Sequence, residues 1–244
     1  TTVTLNQTPP TIVLQTPNPL TCALTSLVLG ASGTSTGPNF TYLWTTLDGQ
    51  IISGVSSLAP TIGNPGTYTL TATNTQNGCV ASQSVTVAEN VTPPAAEAGS
   101  TSELTCAVTT LQLNGAGSST GVGFSYQWVA SGGGVISSGA ATLTPTISQP
   151  GTYTITVLNA ANGCTSSDVV VITEDVEAPT VQIGSPQSLT CLVDEISLNA
   201  GGSDSGTGFQ LTWSASGGGN IVNTANILQP LVDAAGSYTL TILD

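Results

Sequence analysis

The sequence predicts an all-β protein made of tandem β-sandwich domains in a linear rod. Three observations support this prediction: Cys, Trp and Tyr recur at a nearly constant spacing, apolar residues alternate with threonine, and no helical stripe of useful length occurs. The spacing, about 85 residues, suits a small independent domain and is too long for one unit of a solenoid. The alternation within each period is typical of half-buried β-strands.

The repeated aromatic residues are predicted to form the core of each domain. Each tryptophan lies at the same distance after the cysteine of a Leu-Thr-Cys motif, and each tyrosine follows a tight turn that contains glycine. About seven short strands around an aromatic centre are typical of a two-sheet sandwich. The predicted core positions are Trp44, Trp128, Trp213, Tyr68, Tyr153 and Tyr238.

The order of the motifs divides the chain into one isolated strand and three repeats. Residues 1–8 align with the last strand of a repeat, residues 9–92 form repeat 1, and residues 93–177 form repeat 2. Residues 178–244 form repeat 3, which lacks its last strand. Proline in the linkers favours extended backbone, and such short, semi-rigid connections predict a rod.

The charge of the chain disfavours several classes of function. It has 13 acidic residues and no Lys, Arg or His. Binding to nucleic acid and to anionic membranes needs cations, and no apolar run is long enough for membrane insertion. Histidine triads and Schiff-base lysines are unavailable, so we predict that the chain is not an enzyme. The Asp-Ser-Gly sequence at Asp204 is interpreted as a loop, because an aspartic-protease site needs two such aspartates.

The order of motifs resembles a known group of bacterial repeats. Repeat 2 contains, in turn, LTC, LNGAGSSTG, FSYQW, TLTPTI and PGTYTITVLNAANGC. This order is similar to that of the PKD-like and immunoglobulin-like (Ig-like) tandem repeats of large bacterial cell-surface adhesins and filament proteins of the type 9 secretion kind. The resemblance implies Ig-like sandwiches, an extracellular location and a structural role in a filament or adhesin stalk. A non-catalytic module of a secreted protein that binds carbohydrate or protein is the alternative.

The extracellular location implied by the resemblance favours disulfide bonds within the repeats. We predict the pairs Cys22–Cys79 and Cys106–Cys164, each of which closes the greater part of one repeat into a loop. Cys191 then has a partner outside the chain or none. The alternative is that the thiols are free and merely pack in the core.

The two ends of the chain predict how copies are joined. The isolated first strand carries Val3 and Leu5, and the final strand carries Tyr238, Leu240 and Ile242 beside an edge without a partner. Two interpretations stay open: a longer covalent array, or a homopolymer in which the first strand of one molecule completes the third repeat of the next. The predicted partners are therefore adjacent copies of the same repeat.

No cofactor is predicted, although calcium stays open. Glu174, Asp175 and Glu177 cluster at the second junction between repeats and are candidate Ca²⁺ ligands. A solvated acidic hinge is the alternative interpretation. Glycans are candidate partners, but the three Asn-x-Ser/Thr matches are the number expected by chance, so no glycosylation site is assigned.

Overall fold

The structure, a computed structural model, describes residues 1–185 and 187–244. That part of the chain contains β-strands and no helix, and therefore no helix that could cross a membrane. It divides into two compact units, residues 1–175 and residues 176–244. The prediction of an all-β chain of tandem Ig-like sandwiches is confirmed.

Repeat 1 is a sandwich of two antiparallel sheets. Its strands are β1 (Leu20–Thr21), β2 (Leu27–Val28), β3 (Phe40–Thr46), β4 (Ile51–Ser53), β5 (Thr61–Ile62), β6 (Gly66–Asn74), β7 (Val80–Val87) and β8 (Glu89–Asn90). One sheet has the order β2-β5-β4 and the other β3-β6-β7. Beyond Ala88, the chain continues as β8, which pairs in parallel with β1.

Repeat 2 has the same plan with a longer final strand. Its strands are β9 (Ser102–Thr105), β10 (Leu111–Gln112), β11 (Phe124–Ser131), β12 (Ile136–Ser138), β13 (Thr146–Ile147), β14 (Gly151–Asn159) and β15 (Cys164–Asp175). The sheets have the orders β10-β13-β12 and β11-β14-β15-β9. The final strand therefore lies between an antiparallel neighbour, β14, and a parallel neighbour, β9.

The second unit, which contains repeat 3, has fewer strands. They are β16 (Ile196–Ser197), β17 (Gln210–Ser216), β18 (Leu231–Val232) and β19 (Ser237–Leu243). β16 pairs with β18, and β17 pairs with β19. By register, the pair β16 and β18 matches β10 and β13 of repeat 2, and the pair β17 and β19 matches β11 and β14.

A tryptophan lies at the centre of each sandwich. The side chains of Trp44, Trp128 and Trp213 are between 1% and 3% exposed. Each indole nitrogen donates a 2.9 Å hydrogen bond to a backbone carbonyl 13 or 14 residues further along the chain. The rings therefore bury a large apolar surface without leaving an N–H group unsatisfied.

A tyrosine closes one end of each sandwich. The Tyr153 hydroxyl donates a hydrogen bond to the Gln149 carbonyl and accepts one of 3.0 Å from the Val135 amide. Tyr68 and Tyr238 make the same two kinds of bond. Tyr68 and Tyr153 are fully buried, whereas Tyr238 is only half-buried. The core of repeat 3 is therefore more open than the other two.

We expect Tyr153→Phe to lower the free energy of unfolding by about 1–3 kcal/mol, because it leaves the Val135 amide and the Gln149 carbonyl without their partner. Urea unfolding followed by tryptophan fluorescence measures the change. Thr154→Val is the control: Thr154 lies next to Tyr153 on the same strand and pairs with Val169 of β15, so its substitution breaks no cross-strand hydroxyl pair and should cost no more than about 0.5 kcal/mol. Equal stability of the two variants would show that the tyrosine hydroxyl does not hold the turn.

Candidate functional site: the junction between repeats 1 and 2

A disulfide bond joins repeat 1 to repeat 2 within the first unit. The Cys22 and Cys164 sulfurs are 2.04 Å apart, and their Cα atoms are 5.0 Å apart. Cys22 lies in the turn after β1, and Cys164 is the first residue of β15. The two repeats are thus connected twice, once by the linker and once by the sulfur bridge.

The predicted pairs Cys22–Cys79 and Cys106–Cys164 are wrong, because the sheet order separates the two cysteines of a repeat. In repeat 2, Thr105 pairs with Asp175 at the far end of β15, whereas Cys164 begins that strand. A 12-residue strand is roughly 36 Å long at about 3.3 Å per residue. A disulfide cannot bridge Cα atoms more than about 7 Å apart. Cys79, Cys106 and Cys191 are free thiols.

Cys22 is presented by a tight turn at one end of repeat 1. The Thr21 amide donates a 2.9 Å hydrogen bond to the Leu24 carbonyl, and the Leu24 amide donates one of 2.9 Å to the Thr21 hydroxyl. Between them, the Ala23 amide donates a 3.2 Å hydrogen bond to the Asn162 carbonyl of repeat 2. We call residues 21–24 the donor turn, because they supply the cysteine that reaches the next repeat.

The receiving side is the Asn-Gly-Cys turn of repeat 2, residues 162–164, which we call the acceptor turn. The Asn162 side chain is buried, and its Oδ1 accepts a 3.0 Å hydrogen bond from the Cys164 amide. Its Nδ2 donates bonds of 3.1 Å to Asn90 Oδ1 and 2.9 Å to the Thr92 carbonyl. One asparagine therefore shapes the turn and holds the incoming linker.

Gly163 allows the donor turn to come close. Its φ is +71°, and a Cβ built at this position would lie 2.4 Å from the Ala23 Cβ. The equivalent Gly78 of repeat 1 has almost the same φ, +76°, but a Cβ there meets no atom within 4 Å. Both turns need a residue that tolerates positive φ, and only the turn at Gly163 is in contact with a neighbour.

Repeat 3 has an open cleft at the edge of a sheet. Among the described residues β19 pairs only with β17, whereas its counterpart β14 pairs on both sides. A cleft of about 380 Å³ lies between Tyr238 and the segment Gln187–Leu189, and Leu198 and Val232 line it. In repeat 2 the corresponding place is filled by β15. We call this feature the edge cleft.

The predicted assembly residues at the start of the chain are exposed. Val3 and Leu5 are 92% and 81% exposed, and neither lies in a strand. Val3 aligns with Val87 and Ile172, which are buried in their own repeats. An apolar side chain of the type that fills a core in repeats 1 and 2 is therefore left in solvent.

Two of the candidate calcium ligands, Glu174 and Asp175, point away from each other. Glu174 and Asp175 are successive residues of β15, so their side chains leave opposite faces of the strand. Within the described residues no three Asp, Glu, Cys or His side chains are grouped closely enough to hold a metal ion. Calcium binding by Glu174, Asp175 and Glu177 stays a prediction, to which this geometry adds no support.

The Gly/Ser-rich loops have a structural role in each repeat. The hydroxyls of Thr34, Ser118 and Ser203 accept hydrogen bonds of 2.8–3.1 Å from the backbone at the start of the same repeat. Asp204, of the Asp-Ser-Gly sequence, likewise accepts a 2.7 Å bond from the Thr180 amide. These polar groups anchor the first segment of each sandwich.

Comparison with known proteins gives likenesses of fold only. No family model and no curated protein matches the sequence. The I-band fragment I67–I69 of titin is 12% identical over 98% of this chain and 95% of that one, with a TM-score of 0.40. Three N-terminal domains of the highly immunogenic outer capsid protein of bacteriophage RB49 are 17% identical over 93% and 87%, with a TM-score of 0.39. The first eight Ig domains of Down syndrome cell adhesion molecule are 13% identical over 97% and 42%, with a TM-score of 0.37.

We expect peptides from the oxidised, monomeric chain to show a Cys22–Cys164 linkage, and thiol titration after denaturation to find three free cysteines. Pepsin is the suitable protease, because the chain offers trypsin no Lys or Arg. Replacing both Cys22 and Cys164 by Ser should lower the free energy of unfolding by about 2–5 kcal/mol. Cys106→Ser, which removes an exposed free thiol, is the control. A Cys106–Cys164 peptide would contradict the assigned pairing.

Gly163→Ala and Gly78→Ala form a matched pair of variants. Both place a Cβ at positive φ, at a cost of about 1–2 kcal/mol. Gly163→Ala also forces Ala23 away, so it should destabilise the chain by at least about 1 kcal/mol more in thermal unfolding. Ala23→Gly should partly rescue Gly163→Ala and not Gly78→Ala. Equal effects of the two alanines, with no rescue, would mean that the donor turn does not pack on Gly163.

Proposed function

We propose that the chain is a structural segment of an extracellular bacterial filament or adhesin stalk, built of Ig-like or PKD-like repeats of the type 9 secretion kind. The observation that carries this proposal is the Cys22–Cys164 bond, because it ties one repeat to the next. A bond within a repeat would stabilise a single domain. A bond between repeats restricts the bending and separation of neighbours, which is the mechanical task of a stalk.

The energetics of the bridge support a mechanical role. It closes a segment with a sequence separation of 142, and the chain-entropy model assigns such a loop roughly 5 kcal/mol of stabilisation through the unfolded state. Since small domains have total stabilities of about 5–15 kcal/mol, this is a large share for two joined repeats. Two covalent connections at one junction also restrict the rotation of one repeat relative to the other, which a single linker would allow.

The chemistry of the chain fits durability outside the cell. Disulfides persist in oxidising compartments and are rare in reducing ones. The absence of Lys and Arg removes the cleavage sites of trypsin-like proteases. The acidic surface, with 13 carboxylates and no side-chain cation, keeps neighbouring molecules apart unless they meet at a specific interface.

The edge cleft of repeat 3 supports continuation by a strand of the same kind. We assign its occupant as the first strand, residues 1–8, of a second copy. Val3 of that strand would take the place that Val87 and Ile172 hold in their own repeats, and its backbone would pair with the free edge of β19. Unpaired strand edges and apolar clefts favour such strand addition. A head-to-tail contact of this kind builds a fibre wherever the rotation between successive copies does not close a ring.

Immunogold electron microscopy with an antibody against this chain tests the proposed function. Labelled long, uniform fibres at the cell surface are expected, and labelled discrete particles would overturn the filament role in favour of a binding module. The intact mass of the native protein decides how repeats are joined. A mass near 24.2 kDa supports donated strands, and a mass several-fold larger overturns donation in favour of a covalent array.

Val3→Asp and Thr2→Asp separate the donated-strand arrangement from non-specific association. Thr2 aligns with Thr86 and Val171, whose side chains are exposed, so only the Val3 substitution places a charge in the edge cleft. Self-association of the purified chain should weaken at least about tenfold for Val3→Asp, because an apolar contact is replaced by a buried carboxylate. Analytical ultracentrifugation measures this. Equal effects of the two variants would contradict strand donation.

A further inference from the structure

We propose that Cys79 is the receiving half of a second bridge between repeats, and that its partner is the cysteine of a donor turn from a preceding copy. In solutions of this chain alone, that partner is Cys191 of a second molecule. The inference deepens the proposed function and rests on the head-to-tail succession of repeats. It is carried by the match between the surroundings of Cys79 and those of Cys164, which already holds a donor cysteine.

The turn that carries Cys79 has the hydrogen bonds of the acceptor turn. The Cys79 amide donates a 2.9 Å hydrogen bond to Asn77 Oδ1, and the matching bond from Cys164 to Asn162 is 3.0 Å. The Gly78 amide donates a 2.8 Å bond to the carbonyl four residues earlier, and the matching bond of Gly163 is 2.7 Å. Residues 77–79 are therefore a second acceptor turn, already formed.

Hydrogen bonds from an asparagine hold the segment that enters repeat 1, in the same way as they hold the linker between repeats 1 and 2. Asn77 Nδ2 donates hydrogen bonds of 3.1 Å to both Asn6 Oδ1 and the Thr8 carbonyl. Asn162 makes the same two contacts, with Asn90 and Thr92. The start of the chain thus lies on repeat 1 as a linker from a preceding repeat would lie. This likeness to the linker does not involve the cysteine and is therefore a second, independent argument for the proposal.

The face that receives a donor turn is open at Gly78 and filled at Gly163. A Cβ on Gly78 meets nothing within 4 Å, whereas one on Gly163 meets three atoms of Ala23. Cys79 is half-buried, whereas Cys164, with its bridge in place, is only 1% exposed. The face beside Gly78 is therefore empty, whereas the face beside Gly163 is occupied by a donor turn.

Donor turns occur in all three repeats. The Thr105 amide donates to the Val108 carbonyl at 3.0 Å, and the Thr190 amide donates to the Val193 carbonyl at 2.9 Å, as Thr21 does to Leu24. The return bonds to the two threonine hydroxyls are also present. Cys106 and Cys191 are exposed on these turns. The Cys22–Cys164 bond joins a repeat to its successor, so the same order leaves Cys191, on the donor turn of repeat 3, for the first repeat of a following copy.

Formation of the bridge is a thiol–disulfide exchange that needs a small disulfide oxidant. The Cys191 thiolate first attacks the oxidant to give a mixed disulfide and releases one thiol. The Cys79 thiolate then attacks the Cys191 sulfur and releases the second thiol. Two protein thiols are oxidised to one disulfide, and the oxidant is reduced to two thiols.

The test uses the full chain, with its Cys22–Cys164 bond intact, in a buffer of oxidised and reduced glutathione. On non-reducing gels we expect a ladder of covalent multimers, and peptic peptides should show a Cys79–Cys191 linkage. Cys79→Ser and Cys191→Ser should each abolish the ladder, and Cys106→Ser should retain it. A ladder that survives Cys79→Ser, or that maps to Cys106, would overturn the inference.

A variant that keeps every thiol tests whether the donor turn docks beside Cys79, as distinct from whether the Cys79 thiol can react. Gly78→Val fills the open face beside Cys79 and should slow cross-linking at least about fivefold. Gly206→Val is the control, since it also has positive φ and open surroundings but lies in repeat 3, whose sequence contains no Asn-Gly-Cys turn. Equal rates for the two variants would mean that Cys79 reacts as an ordinary exposed thiol and would overturn the docking role.

Failure of this inference is distinguishable from failure of the proposed function. Fibres seen on the native surface in which alkylation finds Cys79 as a free thiol would overturn the second bridge and leave the filament role standing. A Cys79–Cys191 bond formed in solution, together with discrete labelled particles on the cell, would support the bridge and overturn the filament role.

Discussion

The parallel pairing of the first strand of a repeat with the end of its last strand is the constraint on which the rest depends. Because β9 runs beside the end of β15, the donor turn emerges at the end of the repeat where the chain leaves. The Asn-Gly-Cys turn lies at the start of the same strand, beside the incoming linker. Each repeat of this plan therefore has a cysteine at either end, so its cysteines are placed to form disulfide bonds with neighbouring repeats and not with each other.

Cohesion without side-chain salt bridges comes from burial and neutral hydrogen bonds. The tryptophan at the centre of each sandwich is buried, and its N–H group and the O–H group of the repeated tyrosine have backbone partners. On the exposed face of the second sheet, threonine and serine hydroxyls pair across strands at 2.8–2.9 Å, as between Thr69 and Ser84. Such cross-strand pairs stabilise a sheet without adding charge to a chain that is already strongly acidic.

Prediction from the sequence succeeded where the signal is local and failed where it is not. Alternation around Trp128 and Tyr153 predicts the strands and their buried face, because each side chain faces the side opposite to its neighbours. For the same reason Glu174 and Asp175, two of the calcium candidates, diverge, because they are adjacent on one strand. The disulfide pairs failed because regular spacing fits bonds within a repeat and between repeats equally well. Pairing within repeats leaves Cys191 without a partner, and this was the one sign in the sequence that the bonds could run between repeats.

The sequence by itself determined the all-β class, the period of the repeats and the aromatic residues of each core. These properties follow from turn residues and alternation, which act between neighbours along the chain. Only the tertiary structure decided that Cys22 meets Cys164 and that Asn162 holds the linker. Those outcomes depend on the order and direction in which distant strands pair, and local spacing does not encode either.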